Sequence, residues 1–239
     1  MWRLAVLGAV IGCGRRGFDH FAPDTALDPD AHTAAITRVQ VLAPGYQRAA
    51  QVSIPAVDVA GDLVLAAVYW NTVGTSVEVT DTLGLAWTAL PSQHSITCMS
   101  DIQMWFAIVA QSGSNTFTVT QSAGTMPLGM YIVEYSGIDP VNPVEATTGM
   151  LAPGASNAMT AGTLATTNNT LVVALFNDVN GNGTMVPGSG YTAIARDTPF
   201  YSMLEESMGT PGPIAPDATL PSGISDDCWV ATAAAFQPR

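Results

Sequence analysis

No stretch of twelve or more residues in this 239-residue chain carries a clean 3.6-residue apolar period, while many short runs alternate apolar and polar or are apolar throughout. Residues 35–42, 52–59, 76–80, 116–121 and 191–196 alternate. The runs LVLAAVYW after Gly61-Asp62 and TLVVALF from Thr170 are nearly continuous, as strands buried on both faces should be. Turn residues such as Pro44-Gly45, Asp81 to Gly84 and Asn180-Gly181 punctuate them. This pattern predicts an all-β fold, an antiparallel jelly-roll-like β-sandwich of about ten to twelve strands forming a single domain over residues 33–239. Composition agrees. The chain has no lysine, its seven basic residues all being arginine, and helix surfaces normally rely on lysine and glutamate. With a net charge of −12 and only Arg38, Arg48, Arg196 and Arg239 spread over the domain, no basic patch forms and no nucleic-acid partner is expected.

The first residues, MWRLAVLGAVIGC, place Arg3 before an apolar run from Leu4 to Ile11, then Gly12 and Cys13. The run is too short to span a bilayer, which takes roughly 20 residues. Val10, Ile11, Gly12 and Cys13 resemble the lipobox of a bacterial lipoprotein. That resemblance implies a signal peptide over residues 1–12, lipidation of the Cys13 thiol and a membrane attachment through acyl chains. Gly14, which is not an aspartate, leans toward the outer membrane, on its periplasmic or its external face. Residues 13–32 mix Pro, Asp and Ala without a sustained period and read as a flexible tether.

An internal echo runs through the rest. Asp62-Leu-Val-Leu-Ala-Ala-Val and Asn169-Thr-Leu-Val-Val-Ala-Leu each open a buried run, and each is followed later by an aromatic-Thr-Ala step, Trp87-Thr88-Ala89 and Tyr191-Thr192-Ala193. This suits two related halves of one jelly roll. The phrases GDLVLAAVYW, VTDTLGLAWTAL, QMWFAIVA, YIVEYSGIDPVNPVEATTG, SGYTAIARD and CWVATAAAFQ resemble a β-sandwich domain of secreted bacterial proteins, a mostly uncharacterised family often found among adhesin-like and carbohydrate-binding modules. The resemblance spans residues 35–237 and implies the fold far more than any function.

Candidate chemistry is sparse. With Cys13 lipidated, Cys98 and Cys228 remain as an even pair, either a disulfide or two buried thiols. Asp178, Asn180 and Asn182, followed by Gly183, have the spacing that opens a calcium loop, but position 12 is Ser189 and not a bidentate glutamate, so an Asn-Gly hairpin competes with calcium as the reading. His94 is the single histidine after the tether, too little for a multi-histidine metal site, and no nucleophile elbow is present. A glycoside hydrolase needs two carboxylates alone, and Glu134 and Glu205 are the candidates for that alternative. Large aromatics in strands usually pack in the core, yet Trp87 and Tyr191, beside turns, are the best placed to stack on a sugar. The expectation is a non-catalytic cell-envelope lipoprotein acting as a surface or periplasmic binding or adhesion module. Carbohydrate is the first ligand class and a surface protein the second. A glycosidase and a purely structural envelope protein are the alternatives.

Overall fold

The computed structural model describes residues 35–49, 51–71, 75–123, 127–181, 183–197 and 202–239. Twenty strands and no helix occur among them. The first ten are β1 (Thr37–Leu42), β2 (Gln47–Arg48), β3 (Gln51–Asp58), β4 (Leu63–Trp70), β5 (Val77–Asp81), β6 (Thr88–Ala89), β7 (Gln93–Ser95), β8 (Ser100–Ile108), β9 (Gly113–Gln121) and β10 (Pro127–Ser136). The second ten are β11 (Val144–Leu151), β12 (Ala158–Thr160), β13 (Leu164–Thr166), β14 (Leu171–Asp178), β15 (Val186–Pro187), β16 (Thr192–Arg196), β17 (Ser202–Met208), β18 (Gly212–Ile214), β19 (Asp217–Thr219) and β20 (Trp229–Phe236).

The two sets build the same object twice. The first half has a large sheet in the order β1-β10-β4-β8-β6 and a small sheet β3-β9-β5; the second has β11-β20-β14-β17-β16 and β12-β19-β15. All of these pairings are antiparallel. The correspondence extends to register. Leu63 lies between Tyr135 and Ile108, and Leu171 lies between Phe236 and Met208. Thr88 faces Phe106 as Thr192 faces Glu206. The Asp62 and Asn169 echo is therefore a repeat of sheet position, with each half carrying a complete pair of sheets.

Three apolar cores explain why β4 and β14 are apolar at every position. Leu63, Leu65, Ala67 and Tyr69 of β4 meet Leu171, Val173 and Leu175 of β14 in a central core that joins the halves. The alternate residues Val64, Ala66, Val68 and Trp70 face Val52, Val79, Phe117 and Val119 of the first small sheet. Val172, Ala174 and Phe176 do the same against Met159, Leu164 and Ala218. Four β layers result, with both large sheets inside. Side chains on both faces of a strand leave no room for polar alternation.

The strand count departs from the ten to twelve expected, for a physical reason. Eight of the strands, β2, β6, β7, β12, β13, β15, β18 and β19, are two or three residues long, too short to show a period of two. Gly162, at φ +90°, separates β12 from β13 where an unbroken backbone would have given one longer strand.

Candidate functional site

Along one edge of the seam between the halves lies an open cleft of about 260 Å³. Ile36 and Arg38 enter it from the first half with Tyr135 of β10. Leu171, Gly190, Thr192, Glu206, Ser207 and Met208 enter from the second. The Arg38 guanidinium pairs with one Glu206 oxygen through Nη1. The Tyr135 hydroxyl donates to the other at 2.7 Å. Burial first, and then the Glu206 charge, hold the Tyr135 phenol well above its ordinary value, so it stays a donor. The Ser207 hydroxyl donates to the Gly190 carbonyl at 2.8 Å and ties β17 to the turn before β16. The cleft thus presents a donor-rich cation beside an acceptor, over an apolar floor of Ile36, Leu171 and Met208.

The opposite edge of the seam carries a second hollow, of about 320 Å³, lined by Ala86, Thr88, Phe106, Ala107, Ile108, Pro140, Val141 and Pro143. By register, Thr88, Phe106, Ala107 and Ile108 hold the places of Thr192, Glu206, Ser207 and Met208. One hollow fills these positions mainly with hydrocarbon and the other with a carboxylate and a hydroxyl. The fold itself does not require the polar set.

The residues singled out in the sequence fall in several places. Glu134 is buried between β10 and the first small sheet, where it accepts from the Val59 amide at 2.8 Å and from the Gln40 side chain. Asp58 lies close by, its pKa raised by burial above all, lowered by Asn115 and raised further by Glu134 and Asp81. Glu205 is fully buried on β17, facing the second small sheet. Glu134 and Glu205 occupy different interlayer spaces, and the structure does not bring them together. Trp87 is half-buried, edge-on to Phe117 at 6.0 Å, with its Nε1 donating to Asp81 at 2.8 Å. It lines a third hollow of about 300 Å³ with Thr80, Asp81 and Leu85. Tyr191 takes the equivalent place in the second half, but its hydroxyl is buried without a hydrogen-bond partner.

At the end of β14, Asp178 accepts from the amides of Asn180 at 3.1 Å and Gly181 at 3.2 Å, and the Asn180 side chain donates to Asp226 at 2.7 Å. This is a turn closed on itself and braced by Asp226; Asn182 lies outside the described residues. Among the described residues no group of three or more His, Cys, Asp and Glu is placed to hold a metal ion. His94 stands in β7 and bonds Asp101. Cys98 and Cys228 stand at disulfide distance, Cα atoms 5.2 Å apart, joining the β7–β8 turn to the start of β20. Cys13 and the tether lie outside the described residues.

Arg38, Tyr135 and Glu206 were not picked out together by sequence reasoning. The signal was present in the echo: carried past Trp87-Thr88-Ala89 and Tyr191-Thr192-Ala193 to the next paired strand, it sets Trp105-Phe106 against Glu205-Glu206. A search of family models, of curated proteins and of solved structures gives no match to this chain, so the site stands on its own geometry.

Proposed function

We propose that this chain is a non-catalytic binding module of the bacterial cell envelope, lipid-anchored through Cys13, that holds one sugar ring of a glycan in the seam cleft. Each half is read as a jelly-roll unit: with β2 and β7 set aside in the first half and β13 and β18 in the second, and the eight remaining strands of each counted in order, the sheets run 1-8-3-6-5 and 2-7-4, which supports a jelly roll whose fifth strand has joined the larger sheet. The observation that carries the binding reading is the Arg38–Glu206–Tyr135 set in a cleft whose twin across the seam is mainly hydrocarbon. A guanidinium beside a carboxylate offers donors and acceptors at the spacing of neighbouring sugar hydroxyls, and the apolar floor suits the C–H face of the ring. Among the described residues Glu206 is the partner of Arg38, engaged through Nη1, so the remaining guanidinium N–H groups are open to a ligand. The separation of Glu134 from Glu205 favours binding over hydrolysis, because a glycosidase needs its two carboxyls roughly 5–10 Å apart across one bond.

A glycan array probed with the full-length chain and with Arg38→Ala, Glu206→Gln and Trp87→Ala tests this. Loss of a wild-type signal by at least tenfold in both cleft variants, with Trp87→Ala retaining it, is the expected outcome. A signal lost only with Trp87→Ala moves the site to the Asp81 hollow, and no signal from wild type rejects carbohydrate. Intact mass of the chain isolated from bacterial membranes reads the anchor: a species starting at Cys13 with added acyl mass supports it, and an unmodified cysteine ends it.

A further inference from the structure

The outermost strand of the second large sheet, β11, is hydrogen-bonded along one side only. The Ala152 amide donates to the Trp229 carbonyl at 3.0 Å, and in an antiparallel ladder every second residue shares that direction. Ala146, Thr148 and Met150 therefore turn their backbone groups to β20, while Thr147, Gly149 and Leu151 turn theirs outward. Among the described residues no hydrogen bond reaches the amide or carbonyl of these three.

An open row of donors and acceptors is a template for another strand, and proteins usually guard it. The other outer strands are guarded. In the first half β1 holds the place of β11, and its register breaks between Arg38 and Gln40. The register of β16 breaks between Ala193 and Ala195, β3 carries Pro55, and β5 carries Glu78 and Asp81. The rest are two or three residues long. The register of β11 breaks between Val144 and Ala146, but from Ala146 to Leu151 it runs unbroken, with neither proline nor charge. Gly149 is no guard either. A Cβ there would fall 2.4 Å from the Gln93 side chain, so close packing on β7 accounts for it.

We infer that β11 is a self-association edge: two copies of this chain join antiparallel about a twofold axis at Gly149, and one large sheet continues into the other. In that register the outward residues meet only one another. Gly149 faces Gly149 and Thr147 faces Leu151, so every open backbone group of the run is paired. The side chains match as well. Exposed Leu151 lies across from Thr147 and exposed Met150 across from Thr148, so each large side chain meets a β-branched one and no two large ones collide. Charge must also permit the contact, because each chain carries a net −12. The acid nearest the run, Glu145, comes to lie across from Pro153. The two Glu145 then stand about 26 Å apart at about 3.3 Å per residue, against a Debye length of about 8 Å. An unrelated strand could use the same backbone groups, but the self-matched register selects a second copy.

Disulfide trapping in the detergent-solubilised full chain tests both the edge and its register. Across the axis the Cα atoms of positions 147 and 151 would lie about 5.5 Å apart, which a disulfide spans. Like positions would be about 13 Å apart, which it does not. A mixture of Thr147→Cys and Leu151→Cys chains should give at least ten times the cross-linked dimer of either variant alone, with wild type as the control for the native cysteines. Thr147→Pro removes an outward amide and no bond to β20, and an outer strand tolerates proline there. It should melt with wild type while its dimer, followed by light scattering, weakens at least tenfold; Thr147→Val should keep the dimer. A wild type that stays monomeric at every concentration, equal cross-linking in the single variants, or an undiminished dimer in folded Thr147→Pro would each overturn the inference. The readout needs no glycan and stands apart from the outcome at the cleft.

Discussion

At the scale of single residues, the molecule's acids divide into those whose partners offset burial and those in which burial prevails. Glu134 receives an amide and a side-chain amide, and Glu206 receives a guanidinium and a phenol. Glu205 is fully buried, and that burial, against the Gly188 amide and with a further push from Asp217, raises its carboxyl to about 8 from 4.5. A raised acid binds its proton more tightly in the folded state than in the unfolded one. Its contribution is therefore whole below about pH 4.5 and is lost progressively as pH climbs toward 8. Asp197, raised to about 6 chiefly by burial, acts with the same sign but finishes earlier. The wild-type melting temperature should fall between pH 6 and pH 8, and Glu205→Gln should flatten that interval. An unchanged slope in the variant would show that other groups set it. The sequence offered Glu205 and Tyr191 as separate candidates for separate roles. Their convergence depends on the β16–β17 register, including its irregularity between Ala193 and Ala195, and no local pattern encodes that.

At the scale of elements, the long central strands were readable and the small outer ones were not. A strand buried on both faces writes an unbroken apolar run, so β4 and β14 announce themselves. The edge strand β11, VEATTGML, has a mixed burial pattern and no alternation, and it passed unnoticed. Pairing between central strands also hides constraints that composition does not suggest. Gly129 of β10 lies opposite Tyr69 of β4, and a Cβ at Gly129 would fall 2.1 Å from the tyrosine ring. Tyr69 is 1% exposed and has nowhere to retreat. Gly129→Ala should accordingly destabilise by about 1–3 kcal/mol, the usual range for overpacking a close-fitted core. Urea denaturation checks this; a midpoint equal to wild type would mean that the ring moves aside freely. The corresponding pair in the second half, Val230 opposite Asn177, has no such clash to avoid.

At the scale of the whole molecule, the halves are held by the central core, and one cysteine pair stands at disulfide distance across them. Cys98 belongs to the first half and Cys228 to the second, 130 residues apart in sequence. A link over so long a loop removes much of the unfolded chain's freedom and contributes at most about 4–5 kcal/mol. Reduction, or Cys98→Ser with Cys228→Ser, should lower the melting temperature by roughly 8–15 °C with the β signal of the circular dichroism spectrum retained at low temperature. If melting then splits into two transitions, the core alone does not couple the halves. Cysteine number singled out Cys98 and Cys228 but left a disulfide and two thiols both open, and only the fold sets them at disulfide distance. The four-layer arrangement was not legible: an echo in sequence tells of two like segments, not of whether each completes its own sandwich.

Duplication gives this chain something a single sandwich lacks, a spare. Where one copy keeps Trp105 and Phe106 as filling, the other is at liberty to put acids at the same two places, because the first copy and the shared core already keep the molecule folded. Division of labour between twins is a cheap route to novelty: one insures, the other experiments. It also sets a direction for engineering, since restoring filler to the second copy should make a sturdier protein with less to offer a partner.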